Sequence, residues 1–263
     1  MKKIESLQNL KIKQVQKLKK NHERKKTGLF IIEGRKELER AYLAQVEMDY
    51  VLLCLELAGD IPRYLKDNEE KIYYVSQEVF KKISYKENPD GVLAVVKRQD
   101  MELKDLKLRK NALVVVLESV EKPGNLGAIL RSADATRVDA IIVCDKRTDI
   151  YNPNVIRASI GTVFNVPLVA DTKKNVLSFL QKNKIFSFAT TPEASQFYTE
   201  MDFTKAIALV VGTEHEGLSD FWLKNADAQI KIPMLGEIDS LNASVSTAVV
   251  LYEIIRQRGL NVV

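Results

Sequence analysis

Five short apolar runs punctuate the second half of the chain, at 113–117, 140–144, 185–189, 207–211 and 228–232. The three most apolar, LVVVL, AIIVC and IALVV, carry no polar residue at alternate positions. A strand with one wet face alternates apolar and polar residues, whereas a strand covered on both faces reads as an unbroken apolar run. Helical patterns at 128–135, 173–183 and 244–258 separate several of the runs. In the last, Val245, Ala248, Val249, Tyr252 and Ile255 follow the i, i+3, i+4, i+7 spacing of one helix face. Buried strands alternating with helices specify a parallel sheet in an α/β domain.

The first half reads differently. Residues 1–27 predict one helix or two, with Ile12, Val15 and Leu18 on one side and basic residues on the other. Gly28 ends the pattern, 29–32 reads as a strand, and 35–44 as a helix after a turn at Glu33-Gly34. Further strands are expected at 51–55, 72–75 and 92–96, with a helix or turn at 77–83. The charged stretch 97–110 sustains no apolar pattern. The expected organisation is therefore a smaller α/β domain over 1–100, a linker over 101–110 and a larger α/β domain over 111–263. A length of 263 residues suits that division.

Several classes are excluded. The longest apolar stretches, 206–211 and 245–251, fall well short of the roughly 18 residues that span a bilayer. No apolar run follows the first lysines, so a secretory signal is not expected. Cys54 and Cys144 sit in separate apolar runs and read as buried thiols of a cytoplasmic protein. His22 and His215 are too few to build a zinc site, and no metal is expected.

The excess positive charge is localised. Residues 1–40 hold 13 Lys and Arg against 5 Asp and Glu, while the other 223 residues hold 27 against 30. Between Lys11 and Lys26 the only acidic residue is Glu23. Such a run can be a solvated helix face. Uncompensated lysines repel one another, however, and a polyanion relieves that repulsion through phosphate contacts. RNA or DNA is the partner this predicts, with Lys17, Lys20, Arg24 and Lys25 as candidate contacts.

Ligands of open parallel sheets sit beyond the carboxyl ends of the strands, so the segments following each strand are the places to look for chemistry. After 113–117 comes a Gly-rich turn, then NLGAILRSADA (125–135), which puts Asn125, Gly127 and Arg131 at the opening of a helix. It has neither the GxGxxG of a dinucleotide site nor a phosphate-binding loop, which disfavours a Rossmann-type nucleotide enzyme. The run 207–211 leads into VVGTEHEGLS (210–219), where two carboxylates and a histidine stand among glycines. A lone histidine in a polar loop is more often simply exposed, and His215 is read so. The run 228–232 leads into a loop rich in Gly, Ser and Asn that opens directly into the last helix.

In order and spacing, NLGAILRSADA, VVGTEHEGLS and IPMLGEIDSLNASVSTAVVLYEIIRQR (232–258) resemble the three motifs of the SpoU family of RNA ribose 2′-O-methyltransferases, within the SPOUT superfamily. NPNVIRASIGTVFNVP (152–167) is similar to the segment between the first two motifs. KKTGLFIIEGRKELERA (25–41) is similar to the substrate-binding domain that often precedes the catalytic one. The resemblance covers most of the chain and is weakest across 45–105.

The resemblance implies a C-terminal SPOUT domain with a deep trefoil knot, a homodimer, and S-adenosylmethionine as cofactor. The cofactor-binding residues would be Thr190, Gly212, Thr213, Glu214, Ile232, Leu241, Asn242 and Ser244. Arg131 would have the central catalytic role, with Asn125, Glu214 and Ser244 positioning it and the ribose. A guanidinium offers five donors and no acceptor. Arg131 is therefore read as holding the target phosphate and stabilising alkoxide charge. Arg157 is a second cation for phosphate or for the cofactor carboxylate. Ribosomal RNA is the implied substrate class, by analogy with relatives carrying this kind of N-terminal domain. The competing readings are a transfer RNA 2′-O-methyltransferase and a non-catalytic RNA-binding or ribosome-assembly protein on the same scaffold. The chain departs from the family in having Thr136-Arg137-Val138-Asp139 where a glycine usually follows the first motif's helix. It also has AsnAlaSer for the commoner AsnValSer, and His215 where glycine is frequent.

Overall fold

A computed structural model describes residues 2–145, 149–213 and 216–259. The chain forms two compact units, Met1–Gln99 with Asp149–Asn165, and Asp100–Thr148 with Val166–Val263.

The first unit is built on a mixed five-stranded sheet. β1 (Lys2–Ile4) precedes α1 (Leu10–Leu18) and α2 (Asn21–Thr27), and β2 (Leu29–Glu33) leads through Gly34 into α3 (Arg35–Leu43). β3 (Met48–Leu53), the single turn α4 (Leu55–Ala58), β4 (Ile72–Val75), α5 (Gln77–Ile83) and β5 (Val92–Lys97) follow. The strand order is β1-β4-β3-β5-β2, with β5 antiparallel to both its neighbours and β4 parallel to both of its own. Ile12, Val15 and Leu18 face the core expected of them, buried with Ile31, Tyr50 and Leu52. Residues 2–4, within the stretch read as helical, form a strand instead. Lys2, Lys3 and Ile4 pair with Tyr73, Tyr74 and Val75 at the sheet edge, and a partner so distant leaves no local periodicity to read.

In the second unit β6 (Leu113–Glu118) runs into α6 (Pro123–Ala135) and β7 (Ala140–Cys144). The chain then contributes α7 (Pro153–Ala158) to the first unit before returning as β8 (Leu168–Asp171) and α8 (Lys173–Lys182). β9 (Phe186–Thr190), β10 (Gln196–Phe197), β11 (Ile207–Val211), α9 (Asp220–Asn225), β12 (Ala228–Lys231) and α10 (Ala243–Arg258) complete it. The seven strands are all parallel, in the order β10-β12-β9-β11-β6-β7-β8. Every residue of β6, β7 and β11 is buried, as their unbroken apolar sequences require. No described helix is long and apolar enough to cross a membrane.

Two further details differ from the sequence reading, and a third bears out the missing glycine noted there. Segment 149–165, assigned by position to the second domain, packs in the first unit, with the Tyr151 ring 4.6 Å and the Phe164 ring 6.2 Å from that of Phe30. Helix α6 begins at Pro123, before the expected 128, because proline suits a first helical turn whose N–H has no acceptor. That helix also stops without a glycine. Arg137 takes the left-handed conformation itself (φ 53°), and Val138 N–H donates to Ala133 O (2.9 Å), closing the last turn. A non-glycine residue in that conformation costs about 1–2 kcal/mol.

Candidate active site

A cavity of about 510 Å³ opens where β9, β11 and β12 end. It lies beyond the carboxyl ends of these parallel strands, the end of the sheet at which open α/β folds take ligands. Thr190 and Val211 end β9 and β11, Lys231 ends β12, and Gly212 and Ile232 are the residues that follow β11 and β12. Leu218, Ile230 and Val250 contribute apolar wall, and Leu241 stands in the loop before α10.

Gly212 is dictated by space. A Cβ there would lie 2.1 Å from the Gly217 carbonyl oxygen and 2.5 Å from the Leu218 nitrogen. Thr213 N–H donates to that same carbonyl (3.0 Å), and Glu216 N–H donates to Thr213 Oγ1 (3.0 Å). Gly212 and Thr213 therefore lie close against Gly217 and Leu218 beyond the end of β11. Thr190 Oγ1 donates to Val210 O (2.9 Å), tying the end of β9 to its neighbour. At the rim, a hydrogen bond from Thr191 holds the Glu193 carboxyl below its ordinary range, so it is ionised at neutral pH. Lys231 Nζ sits over the Phe197 ring, 5.1 Å from its centroid.

Among the residues expected to hold the cofactor, Thr190, Gly212, Thr213, Ile232 and Leu241 line the cavity. Asn242 and Ser244 are not part of its wall. They form the amino end of α10, where Asn242 Oδ1 accepts from Ser244 N–H (2.9 Å) and Ser244 Oγ–H (2.6 Å). Asn242 Nδ2 in turn donates to Asn125 Oδ1 (3.2 Å). Segments 125–131 and 232–244 thus meet through an amide pair at the openings of α6 and α10, not through a shared cavity wall. Arg131, six residues beyond Asn125 on α6, is exposed and does not line the cavity. Glu214 and His215 lie outside the described residues.

In the first unit Lys17, Lys20 and Lys25 are exposed, as phosphate contacts must be. Arg24 requires correction. It is 3% exposed, its Nε lies 2.8 Å from Asp149 Oδ2, and its Nη1 donates to Leu18 O (2.7 Å) and Lys19 O (2.9 Å). A buried guanidinium needs partners. This one satisfies the carbonyl end of α1 and anchors segment 149–165, so it is not available to a nucleic acid. Arg157 is exposed on α7 of the first unit and is absent from the cavity wall.

Sequence reasoning missed Glu193, Tyr198, Lys231, Asp239, Ser246 and Val250, all of which line the cavity. Ser246 and Val250 were within reach, since they follow Ala243 at i+3 and i+7 on one face of α10. Tyr198 lies in a short turn after the two-residue β10 and has no periodic signal.

Comparison with known proteins shows the family. Residues 112–252 match the SpoU rRNA Methylase family and residues 9–94 match the MRM3-like substrate binding domain. The chain is 30% identical to the 23S rRNA (guanosine(2553)-2′-O)-methyltransferase RlmP of Bacillus subtilis, over 97% of this chain and 99% of that protein. Among solved structures, an RNA 2′-O ribose methyltransferase superposes with a TM-score of 0.83 at 38% identity, covering 97% of this chain and 99% of the other. The AdoMet-bound rRNA methyltransferase of Sinorhizobium meliloti superposes with a TM-score of 0.89 at 26% identity, covering 97% of each chain. With more than half of the chain matching the family model and a relative 30% identical along nearly its whole length, the chain belongs to the SpoU rRNA Methylase family.

Proposed function

We propose that this protein transfers the methyl group of S-adenosylmethionine to a ribose 2′-hydroxyl of structured RNA, with ribosomal RNA as the substrate class, and that it works in the cytoplasm as a homodimer. The observation that carries the reading is the cavity at the ends of β9, β11 and β12, closed on one side by a glycine that leaves no room for a side chain.

The residues present fit that cofactor. Ile232, Leu241, Leu218 and Val250 offer apolar surface to a flat heteroaromatic ring, and Thr190 and Thr213 add polar groups beside it. Gly212 lets main chain approach closely. The carboxylates of Glu193 and Asp239 place negative charge at the rim, which suits a cation. When bound, S-adenosylmethionine supplies an electrophilic methyl group on a sulfonium.

The rest is work for the chain's own side chains. Arg131 holds the target phosphate with its fork of donors and stabilises negative charge on the 2′-oxygen as that oxygen gives its proton to solvent water. Asn125, fixed by Asn242, orients the ribose, and Ser244 keeps Asn242 in place. Lys17, Lys20, Lys25 and Arg157 contact phosphates along the RNA. The exposed Val245 and Tyr252 on α10, with Ile238 in the preceding loop, supply apolar surface for the dimer contact.

The test is incubation with tritiated S-adenosylmethionine and separate ribosomal and transfer RNA pools, followed by mapping of alkali-resistant linkages. Label in ribosomal RNA at a ribose is expected, and it should vanish in Arg131→Ala while cofactor affinity stays within about fivefold. Label in a base, or full turnover by Arg131→Ala, would reject the assignment.

A further inference from the structure

Glu118, the last residue of β6, is 3% exposed and lies outside the cavity wall. Its carboxylate faces three donors. Ser219 N–H donates to Oε2 (2.7 Å), Ser219 Oγ–H donates to Oε1 (2.6 Å), and the Lys173 ammonium lies 3.3 Å from Oε1. Lys173, the first residue of α8, is also 3.3 Å from Asp145 Oδ2, just past the end of β7. In the register of β6 against β11, Leu117 is opposite Val211. Glu118 therefore stands beside the point where the chain leaves β11 at Gly212.

Ser219 breaks a local rule to make these bonds. It is the N-cap residue of α9, where a serine hydroxyl ordinarily accepts from a first-turn amide and adds about 1 kcal/mol of stability. No side-chain cap bond forms here. The hydroxyl is turned to Glu118, to which it donates, and its oxygen lies 3.4 Å from the Lys173 ammonium. A cap preference set aside for partners 101 and 46 positions away marks a geometry that matters beyond the helix itself. The three residues preceding Ser219 are Glu216, Gly217 and Leu218, and all three line the cavity.

We infer that Glu118 is a positioning residue for the methyl-donor cavity. By gripping Ser219 through both its amide and its hydroxyl, it pins segment 216–218 and so sets the Leu218 wall and the Gly217 carbonyl that faces Gly212. Lys173 compensates the buried charge, and Asp145 holds Lys173. A buried carboxylate accepting a main-chain amide and a hydroxyl is a stiff tether. Loss of the carboxylate strands Ser219 N–H and leaves the Lys173 ammonium to Asp145 and the Ser219 hydroxyl. The inference rests on the cavity being the S-adenosylmethionine site.

The experiment is calorimetric titration of S-adenosylmethionine into the full chain and its Glu118→Ala, Glu118→Gln and Ser219→Ala variants. Alongside it, KM for each substrate, kcat and amide exchange over 216–219 are measured. Glu118→Ala is expected to weaken cofactor binding by about tenfold or more, from the loss of charge-assisted bonds. Its KM for the cofactor should rise while kcat at saturating cofactor and KM for RNA stay unchanged, with faster exchange confined to 216–219. Glu118→Gln, which keeps an acceptor for Ser219, should recover most of the affinity, and Ser219→Ala should fall between. Should Glu118→Ala fail to fold, Ser219→Ala carries the test alone. Unchanged cofactor affinity and unchanged exchange at 216–219 in the folded variants would overturn the inference, as would a loss of kcat with cofactor KM intact. Failure of the unaltered protein to bind S-adenosylmethionine would instead remove the functional reading beneath it.

Discussion

Replacing Gly212 with alanine tests the cavity most directly, because one added carbon meets main chain and not a movable side chain. The new Cβ would stand 2.1 Å from Gly217 O, 2.2 Å from Gly217 C and 2.5 Å from Leu218 N. A carbon–oxygen contact settles near 3.3 Å, so the two strands of the turn must separate by about 1 Å. That movement stretches the Thr213 N–H to Gly217 O bond from 3.0 Å toward the limit of a hydrogen bond. It also displaces Leu218 from the wall. Losing one buried main-chain bond and deforming the wall costs about 1–3 kcal/mol, or about 5- to 150-fold in Kd. Gly124 and Gly236, where a Cβ would meet nothing within 4 Å, serve as controls. Calorimetry should show S-adenosylmethionine affinity falling in Gly212→Ala and holding in Gly124→Ala and Gly236→Ala. Equal affinity in all three would refute the claim that the close approach of 212 to 217 shapes the site.

Three further outcomes are expected. Arg24→Met should lower stability in urea unfolding by about 3–5 kcal/mol, since Asp149 is left buried and unpaired, and adding Asp149→Leu should restore much of it; a near-neutral single variant would contradict the buried pair. Replacing Lys17, Lys20 and Lys25 together with glutamine should make the slope of log affinity for RNA against log salt shallower by about 2–3. An unchanged slope would remove that face from the interface. Hydrogen bonds from Arg256, then Gln257, hold the Glu253 carboxyl at about 2, below its ordinary 4.5. Its contribution is therefore complete above pH 4.5 and lost as pH falls through 4.5 toward 2. Glu253→Gln should flatten that part of the acid unfolding profile; superimposable profiles would argue against the assigned pairing.

The buried strands were legible as residue patterns because burial on both faces leaves a continuous apolar run, and 140–144 and 207–211 match β7 and β11 end to end. The loops at the strand ends were legible as motifs for a related reason, since Gly212 and the Asn242 cap satisfy constraints that act within a few residues. Charge type was equally plain along the first forty residues, yet Arg24 and Lys25 are adjacent letters with opposite fates. One closes α1 and holds Asp149, while the other faces water. Burial of a charge depends on a partner 125 positions away, and no window of sequence contains it.

The same distance rule separates what could be read from what could not across the whole molecule. Periodicity, turn chemistry and the chemical character of each loop are properties of neighbouring residues, and the chain states them openly. Which segment joins which unit, which strand end meets Glu118, and which amide faces Asn125 depend on pairings between remote positions. Those pairings become favourable only once the apolar core has brought their partners together, because a bond between distant residues must first overcome the entropy of closing the loop between them.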